Sequence, residues 1–328
     1  FFQDVMRERT PQELKALDRL SLADHVSRFI SDQQFERLIE AFAGIYMVIG
    51  PRQSSAGEFV LCLSTHIREK TLSYPLGGMR AVPLAYLRST EKRGGEVRCS
   101  SPVQRIVVEG GRVRGVEAGG FIPADRVISN TGIKETVEMT GRTHFPAAYL
   151  DRVDSLRLSY GGVSVKYALD GEVVRPHVIF YYPDPLRSDL MERQAAIFIP
   201  VPSAADPSLA PPGCQMVLAA SLAPAGLENP EEADAICEAV LQRIENTMQD
   251  LFPDIERHVV WKLRTNTRYI AELSGRKTGE VIGVAQHIEH ETLVDLDPVD
   301  RHPAQVAQAG KAGAEVVQPD LHAQRAQA

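Results

Sequence analysis

The chain is poor in aromatic residues, at 6% of its 328 positions with a single tryptophan. Its four cysteines, Cys62, Cys99, Cys214 and Cys237, are scattered and form no C-x-x-C pair. That excludes a disulfide framework or zinc ribbon and makes a reducing compartment, the cytoplasm, the expected location. No apolar run approaches the roughly 18 residues of a spanning helix. The richest stretches, 41–49 and 59–63, are cut off by Gly50-Pro51-Arg52 and Ser64. An excess of positive charge is missing too: the net charge is −7. No nucleic-acid partner is therefore expected, because such binding needs a basic face. The first residues, Phe1-Phe2-Gln3-Asp4, contain neither a Met nor a basic n-region. They are no signal peptide and read as the start of a fragment. No G-x-S-x-G elbow, no Walker loop and no G-x-G-x-x-G occurs anywhere, so a serine-hydrolase or P-loop chemistry has no sequence support.

What is present is an ordinary globular composition, 44% hydrophobic and 24% charged, and a length that fits about two domains. Residues 3–49 read as helical. Thr10-Pro11-Gln12-Glu13 has the form of a capping box with Pro at the first helical position. Ser31-Asp32 opens a further helix with Phe35, Leu38, Ile39 and Phe42 on one face, and 54–64 is a short apolar helix. Tyr74-Pro75-Leu76-Gly77-Gly78-Met79 is a loop leading into a helix over 80–92 that Gly94-Gly95 ends. The period then drops to two. Strands are expected at 96–99, 103–109, 112–117 and 126–129, with a hairpin turn at Gly110-Gly111. Further strands are expected at 162–169, 177–182, 195–201, 215–222 and 259–263. A long helix is expected over 231–251, with Ile236, Val240, Leu241, Ile244, Met248 and Leu251 on one face. Beyond 270 no aromatic occurs, and from Arg301 the chain is rich in Ala and Gln, a divergent or disordered tail.

The ordered set of these motifs carries more than any one of them. YPLGGM, a helix, GGEV, VQRIVVEGGRVRGV and ADRVISN, followed far downstream by Gly275-Arg276 through Gly279, Gly283 and Gln286, resembles the FAD-dependent phytoene desaturases and carotenoid isomerases of the amine-oxidase superfamily. The resemblance implies an α/β fold in which a partial FAD-binding Rossmann-like domain is interleaved with a substrate domain of mixed sheet and helices. It implies that 1–73 is the helical part of the substrate domain and 74–140 belongs to the FAD domain. It makes 141–274 the sheet that roofs an apolar cavity and 275–287 the return to the flavin, with 288–328 outside the fold.

The same resemblance implies FAD as cofactor, with the backbone of Val103 at its adenine end, Ser129 and Asn130 at the ligand edge of the sheet, and Gly77 and Gly78 near the cavity. The substrate it implies is an apolar, isoprenoid or carotenoid-like molecule, desaturated or isomerised, with peripheral membrane contact. No catalytic base is named by it, and the oligomeric state stays open. The family opens on a G-x-G-x-x-G phosphate cradle and closes on a Gly-rich flavin cap; neither is found in this chain. A cofactor-free module binding an apolar ligand is the alternative. His287 and His290, with Glu289 and Glu291 beside them, give two imidazoles at helical spacing. Further ligands would be needed for zinc, so no metal is expected. Arg264 and Arg268 mark a polar strand end, read as solvated.

Overall fold

The computed structural model describes residues 1–69, 74–181, 196–227 and 229–285. The His287–Glu291 group and the Ala/Gln tail lie outside them. The helices are α1 (Phe2–Val5), α2 (Pro11–Leu17), α3 (Leu22–Ser27), α4 (Gln33–Tyr46), α5 (Ala56–Glu69), α6 (Ala81–Lys92), α7 (Ile133–Thr140), α8 (Ala147–Ser155), α9 (Pro202–Ala205), α10 (Pro230–Leu251) and α11 (Thr267–Ser274). The strands are β1 (Arg105–Glu109), β2 (Arg112–Glu117), β3 (Phe121–Pro123), β4 (Gly161–Leu169), β5 (Val178–Tyr181), β6 (Ile197–Pro200), β7 (Gln215–Ala223) and β8 (Val259–Thr265).

Helices α1 to α5 pack around Leu22, Val26, Ile39, Phe59 and Leu63. Local chemistry sets their starts. Thr10 and Glu13 form the reciprocal capping box, and the Asp32 carboxylate accepts the Phe35 N–H at 2.9 Å. Helix α4 packs Phe35, Ile39 and Phe42 of the expected apolar face on this cluster and turns Leu38 outward. The chain returns to this cluster at its far end, where Ala285 is buried within it.

A three-stranded antiparallel meander, β1-β2-β3, turns at Gly110-Gly111 as expected. Its register shifts between Val107 and Val108, leaving Arg114 as the extra residue on β2. Two expected strands are corrected here. At 96–99 the Arg98 side chain folds back on Glu96 at 2.7 and 3.1 Å and no ladder forms. At 126–129 the backbone belongs to no ladder, and Ile128 is 80% exposed. A strand exists only through its neighbours, and none pairs with this segment among the described residues.

The second sheet runs β5-β6-β7-β4-β8. The region expected to hold a mixed sheet is antiparallel in every pair. One face is covered by α10, which buries Cys237, Leu241, Ile244, Thr247 and Met248. Leu251, expected on that face, is exposed because the helix ends there. Asn229 caps α10 by accepting the Glu231 and Glu232 N–H groups. Ion pairs tie α10 to the edge strand β8: Glu238–Arg264 at 2.8 Å and Glu245–Lys262 at 3.1 Å. The two arginines read as solvated therefore bridge elements, since Arg268 also pairs with Asp234 of α10.

Candidate functional site

Strand alternation gives the five-stranded sheet two unlike faces. Val163, Val165, Tyr167 and Leu169 of β4, with Val217 and Ala219 of β7, are buried against α10. The intervening residues form the opposite, open face. Its rows can be followed from strand to strand. Phe180, Phe198, Ala220, Ser164 and Thr265 lie side by side; Leu218, Lys166 and Leu263 make the next row; Met216, Ala168 and Trp261 the one beyond. Phe180 and Phe198 stack with centroids 4.9 Å apart. Phe180 is 41% and Trp261 52% exposed. Large apolar groups held in a row at this exposure form an uncovered apolar surface. Their signal in the sequence is the apolar run from Met216 to Ala220 in β7, which is apolar on both faces.

The return segment fixes one end of this sheet. Val281 N–H donates to Tyr160 O at 3.1 Å, Ser159 N–H to Gly283 O at 2.9 Å and Ala285 N–H to Arg157 O at 2.9 Å. The glycines of the G-R-x-x-G motif have separate reasons. Gly275 ends α11 in the left-handed conformation. At Gly279 a Cβ would stand 2.0 Å from the Thr267 carbonyl oxygen, so backbone meets backbone there. Beside this segment a cleft of about 260 Å³ is lined by Ile49, Leu158, Tyr160, Pro224 and Ala285 among others. It lies where the helical cluster, the sheet and the return segment meet.

The expected site residues fall in two groups. Gly77 and Gly78 have φ of +81° and +76°. The Gly77 N–H donates to the Asp206 carboxylate at 2.6 Å, and a Cβ on Gly78 would reach Leu209 at 3.3 Å. Hydrogen bonds from the Ser208 hydroxyl and the Gly77 amide hold the Asp206 carboxyl below its usual range. The pair thus docks the Tyr74–Met79 loop on the turn that follows β6, and its Gly77 amide is already used. Val103 and Ser129–Asn130 belong instead to the meander and the entrance of α7. Val103 is half-exposed, and its N–H and C=O have no partner among the described residues. The Ser129 hydroxyl lies 2.7 Å from that of Thr136 and 3.0 Å from that of Thr131, while Asn130 is exposed. No hydrogen bond joins the two groups among the described residues.

A free backbone N–H and C=O at Val103 match the donor–acceptor edge of an adenine, and Asn130 offers an exposed amide at a strand-like segment's end. The described residues thus fit the nucleoside end of the dinucleotide. None of them forms a glycine-rich strand–turn–helix for its pyrophosphate.

Two solved structures of similar fold are an oxidoreductase and an amine-substrate oxidase by their names. An oxidoreductase from Methanosarcina mazei has a TM-score of 0.62 and 21% identity, covering 81% of this chain and 63% of that one. A putrescine oxidase redesigned in its cofactor binding has a TM-score of 0.59 and 16% identity, covering 84% and 58%. The fold is that of the flavin-dependent oxidoreductases with a Rossmann-like domain. The sequence profile described as flavin containing amine oxidoreductase matches residues 4–276, and the chain belongs to that family. Among curated relatives, a lycopene-forming phytoene desaturase of Pseudescherichia vulneris is 28% identical, over 65% of this chain and 45% of its own. A 4,4'-diapolycopene oxygenase of a Methylomonas species is 26% identical, over 73% and 50%. The chain spans about half the length of these relatives.

Proposed function

We propose that this chain is the substrate-holding portion, with part of the flavin domain, of an FAD-dependent oxidoreductase acting on a long apolar, isoprenoid-like substrate. The observation that carries this reading is the sheet face opposite α10, where Phe180, Phe198, Met216, Leu218 and Trp261 are aligned, with Phe180, Met216 and Trp261 exposed among the described residues. The names of the curated relatives support the same substrate class. In this reading 1–73 and 141–274 form the substrate domain, and 74–140 and 275–287 belong with the flavin. Val103, Ser129 and Asn130 hold the nucleoside end, and Gly77–Gly78 shape the loop between the two parts.

FAD, when bound, accepts a hydride from the substrate carbon and so supplies the redox chemistry. The chain's own part is to bind and to exclude water. An apolar polyene on the open face removes apolar area from water on both partners, worth roughly 25 cal/mol per Å². Such a substrate resides in bilayers, so peripheral contact with a membrane surface is part of the proposal. No described helix is long and apolar enough to cross one.

The test adds an acyclic polyene in liposomes to the purified chain and follows energy transfer from Trp261. Loss of the tryptophan emission in wild type, and its retention in Leu218→Asp, is the expected result. Unchanged emission in wild type would remove the reading of this face as a substrate surface.

A further inference from the structure

Among the described strand residues, the open face has one ionisable side chain, Lys166. Val165 and Tyr167 on either side of it are buried against α10, so alternation puts Lys166 opposite them. Its cross-strand neighbours are Leu218 on β7 and Leu263 on β8. Lys166 is half-buried and makes no hydrogen bond or ion pair among the described residues, although the lysine and arginines of the neighbouring edge strand, Lys262, Arg264 and Arg268, or of its following helix, are all paired. One row away on the same face the Ser164 and Thr265 hydroxyls lie 2.7 Å apart. A cation and two hydroxyls thus stand together on β4 and β8, with apolar side chains on every strand from β7 to β5.

This cation is flanked across the strands by two leucines, with no carboxylate paired to it among the described residues. We infer that the open face binds an amphipathic ligand, a long apolar chain ending in a carboxylate, whose head is held by Lys166. This deepens the substrate class proposed above and rests on that reading of the open face. The carboxylate accepts a charge-assisted hydrogen bond from the Lys166 ammonium. The chain runs across β7 and β6 toward the Phe198–Phe180 stack. Three inter-strand steps separate β4 from β5, a path of roughly 14 Å at the usual spacing. No bond is made or broken; Lys166 is a binding residue that sets which end of a long chain lies over β4.

The protein's single tryptophan, Trp261, lies on the same face beside Ala168, so energy transfer from it to a bound polyene reports occupancy. Retinoate and retinol are the probes, sharing a polyene body and differing in the head. Wild type is expected to bind retinoate about tenfold more tightly, the worth of roughly 1.4 kcal/mol. Lys166→Met should abolish that preference and leave retinol binding unchanged, while Lys166→Arg retains it; thermal melts of both variants establish that they fold. Equal binding of the two probes by wild type, or an undiminished preference in Lys166→Met, overturns the inference while the apolar face stands. Failure of wild type to bind either probe overturns the reading of the face and the inference with it.

Discussion

Residues 217 and 218 are chain neighbours on one strand and meet opposite fates. Val217 is fully buried beneath α10, whereas Leu218 lies half-buried on the opposite face. The contrast extends over the whole five-stranded sheet. The closed face is completed by the protein's own helix, and its residues answer to stability. The open face carries apolar side chains on every strand, and the described contact over it is that of Ile270 and Val281 at its Gly162 end. A sheet that keeps both faces apolar but covers only one has the second face free for another molecule.

The largest expected effect breaks this contrast directly. Val217→Asp places a carboxylate under α10 with no cation facing it, a change of about 3–5 kcal/mol for an unpaired buried charge. The soluble folded fraction should collapse in urea titrations. Leu218→Asp on the open face should unfold at nearly the wild-type midpoint and lose polyene binding. Equal destabilisation by the two substitutions would show that the second face is also core.

Gly279→Ala comes next. The added Cβ would lie 2.0 Å from the Thr267 oxygen at φ +73°. Left-handed strain alone costs roughly 1–2 kcal/mol, and the return segment must also shift from α11. Thermal melts should show a clear fall in Tm. Gly78→Ala, at φ +76° and 3.3 Å from the terminal carbon of Leu209, meets a side chain that can yield, so only the strain, about 1–2 kcal/mol, is expected. An unchanged Tm for either would remove the conformational reason given for that glycine.

How far the sequence was legible follows the same division. Periodicity and caps read by local rules were found: the Thr10 box, the hairpin at Gly110-Gly111, α10, and β4 and β7 within a residue or two. Failures came where pairing or tertiary cover decides. Arg126–Ser129 has a strand's composition and no neighbour to pair with among the described residues. Leu38 has a core residue's chemistry and an outward position, although Phe35, Ile39 and Phe42 of the same helix pack on the cluster. Short helices such as α7 and α11 were missed, although Asn266, which caps α11 at 2.9 Å, was visible in the sequence. The open face was implied only through resemblance, since alternation alone does not say which face a helix will cover. Of the expected site residues, Gly77–Gly78 proved to be tied to Asp206, a contact 129 residues away in sequence that no local pattern could signal.

The smallest effect concerns the helical cluster, which buries ionisable groups where the closed face of the sheet buries hydrocarbon. His25 is buried, packed on Phe29 and Phe1, with Nε2 3.1 Å from the Asp4 carboxylate. Burial pushes its pKa below the usual 6.5, against the pull of Asp4 and with minor help from Arg28 and Arg9. A depressed histidine binds protons more readily unfolded than folded. Its stabilising contribution is therefore complete above about pH 6.5 and is lost as pH falls toward the folded value. Glu58 acts in the opposite sense: burial first, then Asp18, raises its pKa, so protonation on acidification favours the folded state. In melts from about pH 7.5 down to about pH 5.5, His25→Phe should lose part of the downward slope of Tm. Glu58→Gln should steepen that slope by removing the opposing contribution. If adding His25→Phe to Glu58→Gln leaves the slope of Glu58→Gln unchanged, His25 is not the group that titrates in the helical cluster.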